Sequence, residues 1–502
     1  MNRGPHVAWN LEASYAALPE AFWAPAEPAR FPQPELVVWN EALAEQLGMT
    51  GESHEELAQF ATGQSLPPGA VPISQAYAGH QYGHATMLGD GRAILAGERR
   101  TASGALVDIQ WKGAGQTRFS RRGDGRATLG AMLREYLVSE SLDALGIPTT
   151  RSLAVATTGE RIARETARVG AVLVRTASSH LRVGTFEYAA ALGDVALLRT
   201  LADYAIARHD PDLARGPDRF ARLLDRVVAR QAALVARWQC VGFVHGVMNT
   251  DNMTVSGESI DFGPCAFMDA YDPDTVFSSI DRFGRYRYRE QPAIAHWNLA
   301  RFAESLGAVL DDDRDRAIDL ANEILGRFPE RFARAWLDGM RAKLGLSQDV
   351  RTPDAARDDA DRALVEELLA WMHAARADFT NTFRALSEVP GAGQLPASGI
   401  PHHVQIDARL ESWLARWRER LAAERAGVDE LARRMRHANP ALIPRNHRVE
   451  EALAAAEHAG DLMPFTTLAA ALRRPFEPHA GDASLREPAP SEFCGYRTFC
   501  GT

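Results

Sequence analysis

The sequence predicts an α+β protein in two lobes, with a small mixed sheet first, a helical lobe after it and a helical extension to the end. Three observations lead there. At 502 residues the chain exceeds what one small core supports. Short β-like runs cluster between Pro72 and Val155 around Gly-rich turns. From Pro292 onward, helical periodicity dominates. The expected divisions are an N-terminal extension over 1–70, a small lobe over 71–178, a large lobe over 179–345, and a helical extension with a cysteine-containing tail over 346–502.

In chain order, 34–47 carries a short helix pattern, and β-like runs follow at 93–96, 107–111 and 152–156. Between the last two, 128–145 predicts a helix, with Leu129, Leu133, Tyr136, Leu137 and Leu145 on a helical period; Gly146 and Pro148 stop it. After Val172-Leu173-Val174-Arg175 the chain turns helical, and 220–238 reads as a long amphipathic helix ended by Gly242. The stretch 243–267 is short, polar and loop-like. Helices are then predicted over 293–306, 314–325, 363–386 and 409–436, while the acidic stretches 311–313 and 354–361 read as solvated loops or helix starts.

Net charge is −9, so no global basic field gathers nucleic acid. No run of about 18 apolar residues predicts a membrane span. The N-terminus shows no apolar core of signal-peptide length, which makes a reducing, cytoplasmic setting the expectation. The cysteines Cys240, Cys265, Cys494 and Cys500 form no C-x-x-C pair. Cys240 reads as a core thiol, and Cys500, near the end, as exposed and reactive. His80 and His84 read as a hydrogen-bonded turn rather than a zinc pair, and Trp413 and Trp417 as a packing face.

Of 56 basic Lys and Arg residues only Lys112 and Lys343 are lysine. Lys112 ends the strand-like Val107-Asp108-Ile109-Gln110-Trp111-Lys112, where a compact point charge suits a phosphate. Lys343, in a helix end, reads as incidental. Glu135 follows Lys112 by 23 residues on the predicted helix. Downstream, Asn252 and Asp261 flank a tight hairpin within His245-Gly246-Val247-Met248-Asn249-Thr250-Asp251-Asn252 and Ile260-Asp261-Phe262-Gly263. Such oxygen ligands suit Mg²⁺ shared with phosphates. A lysine clamped by a helix glutamate, an Asn and an Asp-Phe-Gly form the nucleotide apparatus of protein kinases, so the two lobes are expected to be protein-kinase-like.

The pattern then departs. A kinase places its catalytic Asp two residues after the loop histidine. Here Val247 stands there, and Asp251 is the nearby carboxylate. The glycine loop reads Gly89-Asp90-Gly91-Arg92, with an acid that would repel a triphosphate lying in the usual direction. Arg121, Arg122, Arg126, Arg175 and Arg182 are expected to surround the other end. A reversed nucleotide would offer its α-phosphorus, so the transferred unit would be AMP.

These residues resemble the selenoprotein O (SelO) family of pseudokinase-fold protein adenylyltransferases. The likeness runs from about residue 36 to the end. It is carried by Tyr77-Ala78-Gly79-His80-Gln81-Tyr82-Gly83, Gly89-Asp90-Gly91-Arg92, Arg122-Gly123-Asp124-Gly125-Arg126, the run Ser179 through Glu187, the run His245 through Gly263, Gly284-Arg285-Tyr286, Gln291-Pro292 with Trp297-Asn298-Leu299, and Asn439-Pro440 with Ile443-Pro444-Arg445-Asn446-His447. The resemblance implies a bilobal kinase-like fold, flipped ATP, Mg²⁺ or Mn²⁺, and AMP transfer to Ser, Thr or Tyr hydroxyls of other proteins with release of pyrophosphate. It implies Asp251 as proton acceptor, and Asn252 and Asp261 as metal ligands. It implies Gly89, Gly91, Arg92, Lys112, Asp124, Gly125, Arg175 and Arg182, with Asp261, as nucleotide contacts, and Glu135 as the lysine's partner. It also implies a redox link, for which a Cys265–Cys500 disulfide is the candidate. UMP transfer with Mn²⁺, γ-phosphoryl transfer by an atypical kinase, and a nucleotide-binding scaffold without activity stay open as alternatives. Asp261→Ala is expected to abolish labelling with little change in folding.

Overall fold

The computed structural model describes residues 9–347, 354–392, 407–490, 493 and 495–498. Its N-terminal region is built on one antiparallel sheet. β1 (Trp23–Pro25) and β2 (Glu35–Trp39) come first, then α1 (Glu41–Leu47) and α2 (His54–Ala61). β3 (Ile73–Gln75) is followed by a separate hairpin of β4 (Ala78–Gln81) and β5 (His84–Met87), then by β6 (Ala93–Arg100) and β7 (Leu106–Lys112). β8 (Ala127–Thr128) leads into α3 (Leu129–Ala144), and the long strands β9 (Arg151–Ala163) and β10 (Ala167–Ala177) follow. The strand order is β1-β3-β6-β7-β10-β9-β2, with β8 beside β10. Two strands from the first 70 residues thus belong to the same sheet as the rest.

Alternation along β7 and β10 assigns the two faces. Ile109, Trp111, Val172 and Val174 pack toward α1 and α2, around Leu43 and Phe60. Ala171 and Leu173 pack against α3, around Leu133 and Tyr136. Lys112 lies directly opposite Leu173, and Gln110 opposite Arg175. These polar residues therefore sit on the α3 face, inside the protein.

The helical region follows: α4 (Val183–Ala191), α5 (Val195–His209) and α6 (Arg219–Val241), which Gly242 ends at φ +72°. A two-stranded ribbon, β11 (Phe243–Val244) and β12 (Ala266–Phe267), brackets the loop that carries the site residues. Beyond it come α7 (Gln291–Leu310), α8 (Arg314–Leu325), α9 (Phe328–Lys343), α10 (Ala355–Ala375), α11 (Phe379–Leu386) and the short α12 (Val389–Ala392). The last helices are α13 (Ala408–Ala422), α14 (Val428–Ala438), α15 (Asn446–Ala454) and α16 (Met463–Leu472). α15 and α16 return to the sheet region, where Val449, Leu453, Phe465 and Leu468 pack in the α3 cluster. The C-terminal helices thereby buttress the helix that carries Glu135.

Several expectations need revision. Only 41–47 of the predicted 34–47 helix is helical, because 35–39 pairs as β2 with β9. The predicted helix over 363–386 breaks at Arg376, which is left-handed at φ +51°; Asp378 caps a new helix by accepting the Asn381 N–H at 2.7 Å. The predicted helix over 409–436 breaks before Gly427, the N-cap of α14. The 243–267 stretch is loop-like but not solvated: His245, Thr250, Thr254, Ile260 and Phe262 are buried. Lys343 is also not incidental. It is buried, with its ammonium 4.3 Å from the Phe383 ring centre, and burial pushes its pKa down to about 8. Trp413 and Trp417 are buried and stacked, as a packing face requires. Among the described residues, no helix is long and apolar enough to cross a membrane.

Candidate active site

Five buried or half-buried charges meet where the sheet faces α3. Lys112 Nζ lies 2.6 Å from Glu135 Oε2 and 2.7 Å from Asp261 Oδ1. Strand β7 aims the lysine and the second turn of α3 aims the glutamate, so the 23-residue spacing closes into an ion pair. Arg175, from β10, reaches Asp261 Oδ1 at 2.6 Å and is held by Gln110 Oε1 at 2.6 Å. Arg182, the N-cap of α4, donates to Asp261 Oδ2 and to the Asp251 carbonyl, each at 2.8 Å, and stacks over Tyr77. Burial pushes the Asp261 carboxyl up, but Lys112, Arg175 and Arg182 outweigh it and hold the group well below the usual carboxylate range. Asp261 sits at φ +64°, a left-handed conformation that Asp tolerates better than most residues.

Asp251 lies beside this cluster. Its carboxyl is buried, and Oδ1 has no hydrogen-bond partner. Burial raises its pKa to about 6 against the opposing pull of Arg182. Asn252 donates Nδ2–H to the Val247 carbonyl at 2.9 Å, which orients its amide and leaves Oδ1 as the acceptor. Val247 itself is buried. Among the described residues no group of three or more His, Cys, Asp or Glu is arranged to hold a metal. Asn252 and Asp261 do supply hard oxygen donors, which suits a divalent ion whose remaining ligands are phosphate oxygens and water.

The other predicted residues do not all converge. Asp90 turns inward, accepting from the Gln75 N–H and Gln110 Nε2 at 3.2 Å each and lying 3.8 Å from Arg182. Burial raises its pKa to about 6. It does not present an exposed anion in the glycine loop, so the repulsion expected from sequence has no source there. Gly89 is needed for a protein contact: a methyl on it would lie 2.4 Å from the Phe119 ring. Gly91 is approached in the same way by the Phe119–Ser120 backbone. The Arg92 carbonyl accepts the Gly113 N–H at 2.7 Å, next to Lys112. Asp124 is exposed and pairs with Arg164 at 2.6 Å, and Gly125 closes against Gly115. Of the five arginines expected to gather, Arg175 and Arg182 do. Arg126 pairs with Glu160 at 2.8 Å, and Arg121 and Arg122 are exposed on their loop. Cys265 is buried, and Thr498 of the tail donates to the adjacent Pro264 carbonyl at 2.7 Å. Cys500 and Cys494 lie outside the described residues.

The β4–β5 hairpin covers Asp251, an arrangement absent from the sequence reading. A methyl on Gly79 would lie 2.2 Å from Asp251 Oδ1. The His80 N–H donates to Thr250 Oγ1 at 2.7 Å, Thr250 donates to Glu187 Oε2 at 2.6 Å, and His80 Nδ1 sits 2.6 Å from Glu187 Oε1. Of the two histidines expected to be hydrogen-bonded in a turn, His80 is bonded, to Glu187 about 100 residues away, while His84 is exposed on β5. Gly79, His80, Glu187 and Thr250 all stand in the motifs already noted, but no local spacing joins them.

The family model for protein adenylyltransferase SelO matches residues 5–473. This chain belongs to the SelO family. It is 53% identical over 501 residues, 99% of this chain and 100% of the relative, to a protein nucleotidyltransferase YdiU from Geobacillus kaustophilus. It is 50% identical over 507 residues, 100% of this chain and 99% of the relative, to one from Halalkalibacterium halodurans. A third, from Rhizobium etli, is 50% identical over 500 residues, 99% of this chain and 98% of the relative. As a SelO member, the chain is an enzyme of a nucleotidyltransferase family, and the Lys112–Glu135–Asp261 cluster is its strongest candidate for the nucleotide site.

Proposed function

We propose that the cluster transfers AMP from ATP to Ser, Thr or Tyr hydroxyls of other proteins, within a bilobal kinase-like fold divided near 178 and 345, the first 70 residues adding β1 and β2 to the sheet of the small lobe. The observation that carries this reading is Asp251. A buried carboxyl with an unpartnered oxygen and a pKa near 6 stands beside the cationic cluster, while Val247 holds the position a kinase gives its base. The acceptor oxygen attacks the α-phosphorus, the bond to the β-phosphate breaks, pyrophosphate leaves, and Asp251 takes the hydroxyl proton. Lys112, held by Glu135, and Arg175 and Arg182 stabilise charge on the departing phosphates. That the nucleotide lies reversed, with its outer phosphates at Arg175 and Arg182, is proposed from membership of the SelO family; both arginines converge on Asp261 beside Lys112. Asn252 and Asp261 would hold Mg²⁺ or Mn²⁺, which when bound offsets charge on pyrophosphate.

Gly89, Gly91, Arg92, Asp124 and Gly125 would contact the nucleotide from the adjoining turns. That assignment requires Phe119 to leave the glycine turn it now packs against. A Cys265–Cys500 disulfide is the regulatory part of the proposal. It is supported by Thr498, two residues before Cys500, reaching Pro264 next to Cys265. Intact-mass analysis of a labelled acceptor tests the nucleotide. With ATP and Mg²⁺ or Mn²⁺ the adduct is expected to have the mass of AMP. A preferred UMP adduct from UTP with Mn²⁺ would replace AMP with UMP, and a phosphate adduct would replace the reading with kinase chemistry.

A further inference from the structure

Phe283 is 90% exposed, more than any other large apolar side chain among the described residues, and Ile280 three positions earlier is 54% exposed. A loose loop would make this unremarkable, but the turn that carries them is tied down. Asp281 is buried and accepts the N–H groups of Arg285 and Tyr286 at 2.9 and 2.8 Å. Arg287 donates to the Phe283 and Gly284 carbonyls at 3.0 and 2.8 Å. The Ser279 N–H donates to the Thr498 carbonyl at 3.0 Å. With its backbone held by these bonds, the turn keeps a phenyl ring out to solvent, as expected of a recognition surface rather than of slack chain.

The turn is joined to the candidate active site. Tyr286 donates to Asn249 Oδ1 at 2.6 Å, two residues before Asp251. Tyr82 of the hairpin that covers Asp251 lies against Tyr286, with ring centres 5.1 Å apart. Arg285 stacks on Trp297 at 4.9 Å, beside the Gly83 end of that hairpin. Among the described residues no carboxylate pairs with Arg285 or Arg282, although Arg287 and Arg289 nearby both pair with Asp274. Arg285 Nε is buried without a hydrogen-bond partner. A half-buried guanidinium stacked on Trp297, next to an exposed ring and joined through Tyr286 and Asn249 to the loop that carries Asp251, is complementary to an apolar side chain followed by a carboxylate.

We propose that the turn 280–287 docks the acceptor protein, taking an apolar side chain on Ile280 and Phe283 and an Asp or Glu on Arg285, so that the neighbouring hydroxyl is delivered to Asp251. This rests on the transfer function proposed above. Two peptide pools with one Ser, Thr or Tyr acceptor each test it, using α-³²P-ATP: one pool is flanked by Leu, Phe, Asp and Glu, the other by Gly and Lys. The parent is expected to label the acidic–apolar pool at least about tenfold faster. Phe283→Ser with Ile280→Ser raises KM for that pool by about tenfold, with kcat and ATP affinity near parental values. Arg285→Glu shifts preference toward the lysine pool, and Arg282→Glu serves as the exposed substitute if Arg285→Glu does not fold. Equal labelling of both pools by the parent, or an unchanged KM in the double variant, overturns the docking surface alone. A parent that binds ATP but labels neither pool overturns the transfer reading, and the docking surface with it.

Discussion

Asp251→Asn is expected to lower transfer by roughly 10²–10⁴-fold while ATP affinity stays near the parental value. The amide keeps the shape beneath Gly79 but cannot take a proton. Transfer by the parent should also fall about tenfold per pH unit below about 6, where burial has placed the Asp251 pKa. Stability moves the other way. The folded pKa is raised from 3.8 to about 6, so the contribution of this group is full below the unfolded value and is lost as pH rises through about 6. At neutral pH the buried carboxylate therefore costs stability, by roughly 1–3 kcal/mol on the scale of about 1.4 kcal/mol per pKa unit. Asp251→Asn should melt at or above the parental temperature at pH 7.5, with the gap closing toward pH 4. A variant that unfolds at neutral pH would mean that the carboxylate is a structural partner rather than a poised base.

Asp261→Asn is expected to abolish transfer and to destabilise the fold. The sequence alone suggested that removing this carboxylate spares folding, and the geometry reverses that. Lys112, Arg175 and Arg182 all direct charge at Asp261, and all three are buried. Breaking a buried pair by removing one partner leaves uncompensated charge and costs about 3–5 kcal/mol. Because the Asp261 pKa is depressed, its contribution is present above the ordinary value of 3.8 and is lost as pH falls through the lowered one. The variant's deficit should therefore be largest at neutral pH. Chemical denaturation at pH 7 and at pH 3 measures it, and an equal midpoint for variant and parent at pH 7 would contradict the ion-pair account.

The parts of the site legible in sequence were those fixed by regular periodicity. β7 and α3 follow from alternation and helical spacing, so the Lys112–Glu135 pair was within reach. What failed was direction. Arg121, Arg122 and Arg126 are close in sequence to one another, yet Arg126 turns to Glu160 and the other two face solvent. Asp90 occupies the expected turn, but β3 and β7 offer its carboxylate better donors than solvent does. The hairpin over Asp251 was illegible for a different reason. His80 meets Thr250 across 170 residues, and no local pattern reports a contact of that range. Helix ends failed where tertiary demands won: Arg376 adopts a left-handed turn, and Asp378 lies 2.6 Å from Arg445.

The most direct test of the central claim is a parallel assay of the purified chain with α-³²P-ATP and γ-³²P-ATP on a protein acceptor. Transfer from the α position alone, lowered by roughly 10²–10⁴-fold in Asp251→Asn, is the predicted result. Label carried from the γ position, with none from the α position, would contradict it.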